Sequence, residues 1–156
     1  MNKINITLPD NSVHEHNSGV SALDIAKSIG ERLSMSTVAA TVNYVFVDAT
    51  KPINEDASVV IHTADSKIGH DVLLHSAAHL MAQAVKKLWP NSQMTIGPVI
   101  ENRFYYDFDI DGTFSDEDLS KIEDEMRNIA KQNHEVFRHE LNRDCLLYTS
   151  PSPRDL

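Results

Sequence analysis

The chain has 156 residues and a formal net charge of −9. It shows no long uncharged apolar run and no basic stretch followed by an apolar one at its start, which argues against a membrane span and a secretory leader. The acidic balance argues against a surface built mainly to grip phosphate, and the single cysteine, Cys145, leaves no disulfide framework.

Residues 3–8, KINITL, alternate apolar and polar as a half-buried strand does. Pro9, Asp10 and Asn11 are turn formers, and Val13 to His16 reads as a second strand. Ser21 is placed to cap a helix, with Asp24 three residues on as in a capping box. Leu23, Ile25, Ala26 and Ile29 give that helix an apolar side, and Gly30 is expected to end it. Val38–Val42 and Tyr44–Val47 are β-rich runs with Asn43 between them, the pattern of a tight reversal. After a loop opened by Lys51 and Pro52, Ala57–Thr63 is the last β-rich run. Strand, strand, helix, strand, strand, strand over residues 1–64 is a ubiquitin-like β-grasp order, and this length suffices for one small core.

A second unit is expected over residues 66–144. Asp71–Leu88 forms one helix, with Leu73, Ala77, Leu80, Ala84 and Leu88 on a common stripe and Ala78, Met81 and Val85 widening it. Pro90 accounts for its end. Met94–Ile96 and Phe104–Ile110 read as strands around a Gly97–Pro98 bend. Ser115 caps a further helix, with Asp118 at the capping-box position and Leu119, Ile122, Met126 and Ile129 turned inward. A last strand is expected at about 135–141. Residues 101–125 hold ten carboxylates against Arg103 and Lys121, read as a solvated face. The fold class is therefore α+β, a β-grasp domain followed by an incomplete α+β domain.

Residues 145–156, CLLYTSPSPRDL, carry no apolar period. The first eleven of them match the conceptual translation of a common transposon-type sequencing adapter, so they are read as an artefact and set aside. Readable native sequence is expected to stop near Asp144.

The chemically suggestive residues lie in the second unit. His75 and His79 are four apart and share a helix face, nearly opposite the leucine stripe. Imidazoles so placed can hydrogen-bond, move a proton or bind a metal, or simply sit at the surface. An HExxH metalloprotease site is ruled out because Ser76 follows His75. Gly97 either lets the backbone approach a ligand closely or makes a plain bend. Tyr105 and Tyr106 alternate along the expected strand, so one should be core and the other should face a cleft. Asp107, Asp109 and Asp111 are read as a strand's solvent edge, and no metal site is assigned. His14, His16, His62 and His70 find no partner in the sequence and are expected at the surface.

The stretch His75–Asp109, HSAAHLMAQAVKKLWPNSQMTIGPVIENRFYYDFD, resembles the start of the editing domain of bacterial threonyl-tRNA synthetases, and the VNYVFVDATKPI segment before it resembles their small N-terminal TGS domain. The resemblance covers roughly the first 144 residues and keeps the family's domain order. It implies an N-terminal fragment: a TGS domain over 1–64 and part of a tRNA-editing domain over 66–144. In this family, and in related alanyl editing proteins, an HxxxH faces a distant CxxxH across a cleft. HSAAH supplies the first half, His75 and His79, as candidate catalytic residues of the editing site; the second half has no counterpart here. In the alanyl relatives the four residues can hold zinc, but two histidines alone are too few for a structural zinc site. The resemblance favours Tyr106, with Gly97, on the substrate side of the pocket.

For the parent protein the resemblance implies a class II aminoacyl-tRNA synthetase. Such an enzyme attaches threonine to its tRNA with ATP, Mg and Zn, hydrolyses mischarged seryl-tRNA, and works as a cytoplasmic homodimer joined through the catalytic domain. The fragment itself is expected to hold no cofactor and to be inactive in aminoacylation. The competing reading is a non-enzymatic TGS-type regulatory or RNA-binding module, which would lack HSAAH and GPVIENRFYYD.

Overall fold

The computed structural model describes residues 2–134, 136 and 140–142. The chain divides into two compact units between Leu73 and Leu74.

Unit 1 is built on a five-stranded mixed sheet. In chain order its elements are β1 (Lys3–Thr7), β2 (Val13–Asn17), β3 (Val20–Ser21), α1 (Ala22–Ile29), α2 (Glu31–Ser36), β4 (Thr37–Val42), β5 (Val45–Asp48), β6 (Pro52–Ile53) and β7 (Ala57–Thr63). The sheet order is β2-β1-β7-β4-β5, with β3 and β6 pairing apart from it. β1 runs parallel to β7, and the other neighbours in the sheet are antiparallel. This is a β-grasp arrangement. Alternation along β1 buries Ile4 and Ile6, and β7 likewise turns Ala57 and Val59 inward. With Ala22 and Ile25 of α1, Ala40 and Ile53, they form the core.

Local chemistry explains the element ends. The Ser21 hydroxyl accepts from the Asp24 amide at 3.1 Å, and the Ser21 amide donates to the Asp24 carboxylate at 3.2 Å, completing the expected capping box. Asn11 has φ 65° in the turn after β1, where the Ser12 amide donates to the Asp10 carboxylate at 3.0 Å. Asn43 and Tyr44 both have positive φ, 47° and 66°, between the paired Val42 and Val45. Two such residues make the mirror-image turn whose twist suits a hairpin. The Asn43 side chain also accepts from the Ser58 amide at 2.9 Å, fastening the turn to β7. Tyr44 is 97% exposed there.

Unit 1 bears out Gly30 as the end of α1, adds two features the sequence did not announce, and corrects two expectations. Gly30 ends α1, but a second helix follows at once. Gly30 is extended (φ 173°) and joins α1 to α2. Ile29, expected on the apolar side of α1, is exposed, whereas Ile25 and Ala26 are buried. The pair β3–β6 is too short to leave a periodic signal. His62, expected at the surface, is 8% exposed. Strand alternation puts it on the face opposite Val59, where its Nε2 lies 2.8 Å from the Thr41 hydroxyl and its ring 5.9 Å from that of Phe46.

Unit 2 takes in most of α3 (Lys67–Leu88), then β8 (Gln93–Met94), β9 (Val99–Ile100), β10 (Arg103–Phe104), β11 (Phe108–Asp109) and α4 (Asp116–Gln132). The helix begins four residues before the expected Asp71. Its buried side chains are Ala78, Ala82, Ala84 and Val85, whereas Leu73 and Leu88 at the ends of the expected stripe are 43% and 37% exposed. The buried face is set by what packs on it: Met81, Trp89, Phe108 and Phe114 gather with Ile122, Met126 and Ile129 of α4 around Ala84 and Val85. Leu119, expected inward, is exposed. Ser115 and Asp118 form the expected capping box. Lys87 bonds Glu125 at 2.5 Å, tying α3 to α4.

The expected strand over 104–110 is broken. β9 pairs with β10 and β8 with β11, leaving Tyr105, Tyr106 and Asp107 between strands. Pro98 has no amide to donate opposite them. Only Asp107 continues the ladder, through bonds of 3.2 Å with Thr95 and Ile96. The strand expected at 135–141 falls largely outside the described residues, as do Cys145 and the set-aside tail.

Candidate functional site

α3 places His75 and His79 one turn apart on an exposed face. Their Nε2 atoms are 2.9 Å apart and the rings meet edge to face with centroids 4.6 Å apart. A hydrogen bond at that distance needs one N–H and one lone pair, which two imidazoles of complementary tautomer supply. Imidazoles so paired can orient a water or pass a proton, the parts that general acid–base work requires.

A second contact joins the other two candidates. Tyr106 is half-buried, and its ring stacks on Phe108 at a centroid distance of 5.0 Å and an interplanar angle of 20°. The same ring lies against Gly97: a methyl group there would overlap the Tyr106 Cδ2 and Cε2 atoms and sit 2.9 Å from Cγ. The space left by the missing side chain of Gly97 is thus occupied by Tyr106. The neighbouring Tyr105 is exposed. Phe108 is the residue that sequence reasoning missed. It read as one more apolar position in a strand, but it links Tyr106 to the core through an edge-to-face contact with Phe114 at 5.9 Å.

Among the described contacts, none links the histidine pair to the Gly97–Tyr106 pair. Asp107, Asp109 and Asp111 are exposed, and among the described residues no three His, Cys, Asp or Glu side chains gather as a metal site would require. Two grooves open elsewhere. One, of about 420 Å³, lies in unit 1 between Val42, Val45, Val47, Lys51 and Ile53. The other, of about 440 Å³, lies in unit 2 between Trp89, Ser92, Gln93, Asp109 and Asp111. Neither takes in any of the four candidates.

Residues 4–63 match the TGS domain family. Over 141 residues, 90% of its length, the chain is 47% identical to a threonine–tRNA ligase of Geobacillus sp. (strain WCH70) and 46% identical to one of Geobacter sp. (strain M21). It is 48% identical over 139 residues to that of Saccharophagus degradans. The chain carries a TGS domain and matches the N-terminal part of threonine–tRNA ligases. It spans 22% of the length of these relatives. The similarity to the ligases extends well past the TGS domain, through both histidines and the GPVI turn. Among the described residues, no helix is long and apolar enough to cross a membrane.

Proposed function

We propose that this chain is the front end of a cytoplasmic threonine–tRNA ligase of the class II type, and that unit 2 contributes half of a hydrolytic site that clears seryl-tRNA. The observation that carries the reading is the 2.9 Å contact between His75 and His79, in a segment alike to the ligases over 90% of the chain. Serine differs from threonine by one methyl group, a difference that a binding pocket discriminates poorly, so a second, hydrolytic step has a clear use. In that step water adds to the carbonyl carbon of the seryl ester, the acyl C–O bond to the terminal ribose breaks, and free serine and the tRNA with its ribose hydroxyl restored are released. The histidine pair orients this water, takes its proton and returns one to the leaving ribose oxygen, and Tyr106 forms part of the wall beside the ester.

The aminoacylation step, with its ATP and Mg, and the homodimer contact belong to the rest of the ligase. So does zinc: two imidazoles are half of a four-ligand set, and no further His, Cys, Asp or Glu joins them among the described residues. The competing reading, a free-standing TGS module, leaves the likeness beyond residue 63 without a purpose.

The test uses the complete ligase with His75→Ala and His79→Ala combined. Hydrolysis of seryl-tRNA falls by about 10²–10⁴, the usual cost of losing an acid–base group, while threonylation holds at the parent rate. Parent-level hydrolysis by the double variant sinks the reading.

A further inference from the structure

We infer that Gly97 is a positioning residue: its bare α-carbon, together with the ring of Phe108, fixes where the Tyr106 ring stands. The activity part of this inference rests on the editing reading above; the packing part does not. Three observations meet here. A side chain at Gly97 has no room, because the Tyr106 ring fills that space. The opening exists for Tyr106 rather than for backbone strain, since Gly97 does not adopt a positive φ. The ring is also stacked on Phe108, which packs against the Ala84–Val85–Ile122 core. Tyr106 therefore stands outside the β-ladder, with the GPVI turn on one contact and the core behind the other. Such a ring offers a fixed surface to a substrate ester at little entropic cost.

The test is a double-mutant cycle in the complete ligase, with Gly97→Ala, Tyr106→Ala and both together. Gly97→Ala pushes the ring aside and lowers seryl-tRNA hydrolysis by about tenfold to 100-fold, the scale of a misplacement near 1 Å. Threonylation stays unchanged. Tyr106→Ala lowers hydrolysis similarly, and the double variant is no worse than Tyr106→Ala, because the methyl group now has room. The melting temperature follows the same logic: Gly97→Ala lowers Tm when Tyr106 is present and leaves it unchanged when Tyr106 is Ala. If Gly97→Ala alone does not fold, recovery of folding in the double variant reports the same coupling. Gly30→Ala is the control, since a methyl there meets nothing within 4 Å. Parent-like hydrolysis and Tm in Gly97→Ala overturn the inference. Fully additive losses in the double variant also overturn it, since Gly97 would then act on its own. Measuring the histidine variant alongside separates the two claims. If it hydrolyses at the parent rate the editing reading falls, and the Tm coupling alone then upholds or overturns the packing.

Discussion

Unit 1 and unit 2 use similar lengths of chain very differently. Unit 1 ties its strands into one five-stranded sheet, with a seven-residue strand at its centre and eight buried residues in its core. Unit 2 has four two-residue strands in separate pairs and, among the described residues, three buried residues at the centre of its core. In unit 1 local signals and global packing agree, which is the mark of a sequence that specifies its fold by itself. In unit 2 the long helix buries alanines and leaves Leu88 partly in solvent.

The contrast between the units is sharpest in their cores. Ile6 and Ile25 are fully buried. Replacing either with Ala costs about 2–5 kcal/mol by lost transfer energy and cavity formation, a large part of a small domain's stability. Val85→Ala in unit 2 removes two methyl groups, at roughly 0.8 kcal/mol each plus a cavity term, or about 2 kcal/mol. Urea melts read by NMR on the whole chain check both. A wild-type midpoint for Ile6→Ala would remove the claim that unit 1 rests on its own core.

Helix caps contribute less than the cores. Ser21→Ala and Ser115→Ala each remove a capping-box hydroxyl and cost about 1 kcal/mol. In unit 1 the loss lowers a shared transition, because α1 packs on the sheet. In unit 2 it frays only the first turn of α4. Chemical shifts that report a global change from Ser115→Ala would make unit 2 the more cooperative of the two.

The smallest effect is a matter of pH. The Asp118 carboxyl is held down to about 2, first by its hydrogen bond from Lys121 and then by those from Ser115. Its folded value lies below the ordinary 3.8. The capping contribution is therefore fully present above 3.8 and is lost as pH falls through about 2. Carbon-13 titration of the carboxyl group reads this directly, and Lys121→Ala should raise the midpoint. A midpoint at the ordinary value in the parent would mean that the box does not persist in solution.

Legibility in the sequence divides along the same line. The strands of unit 1, the Asn43 reversal and both capping boxes announce themselves through residues whose preference is local. The buried state of His62 does not, because it depends on Thr41 and Phe46, which reach it from other strands of the sheet. On α3 the wheel weights the bulky leucines, but the helix turns its small side toward the aromatic residues of unit 2. Ala78, Ala84 and Val85 lie on the expected apolar face and are buried, but Ala82 gives no signal of its own, and Trp89, Phe108 and Phe114 reveal their common cluster only in three dimensions. That His75 and His79 share a helix face was legible from their spacing, whereas the 2.9 Å contact between them is read from the structure. The meeting of Gly97 with Tyr106 was not legible, since it arises where the expected strand is interrupted.

Hydrogen exchange, residue by residue on the intact 156-residue chain, tests the contrast most directly. Amides of β1, β4 and β7 should exchange only through global opening of unit 1. Those of β8–β11 and of α3 beyond Leu74 should exchange through much cheaper local opening. Equal protection in the two units would contradict this division, and would show that unit 2 closes its own core without further protein.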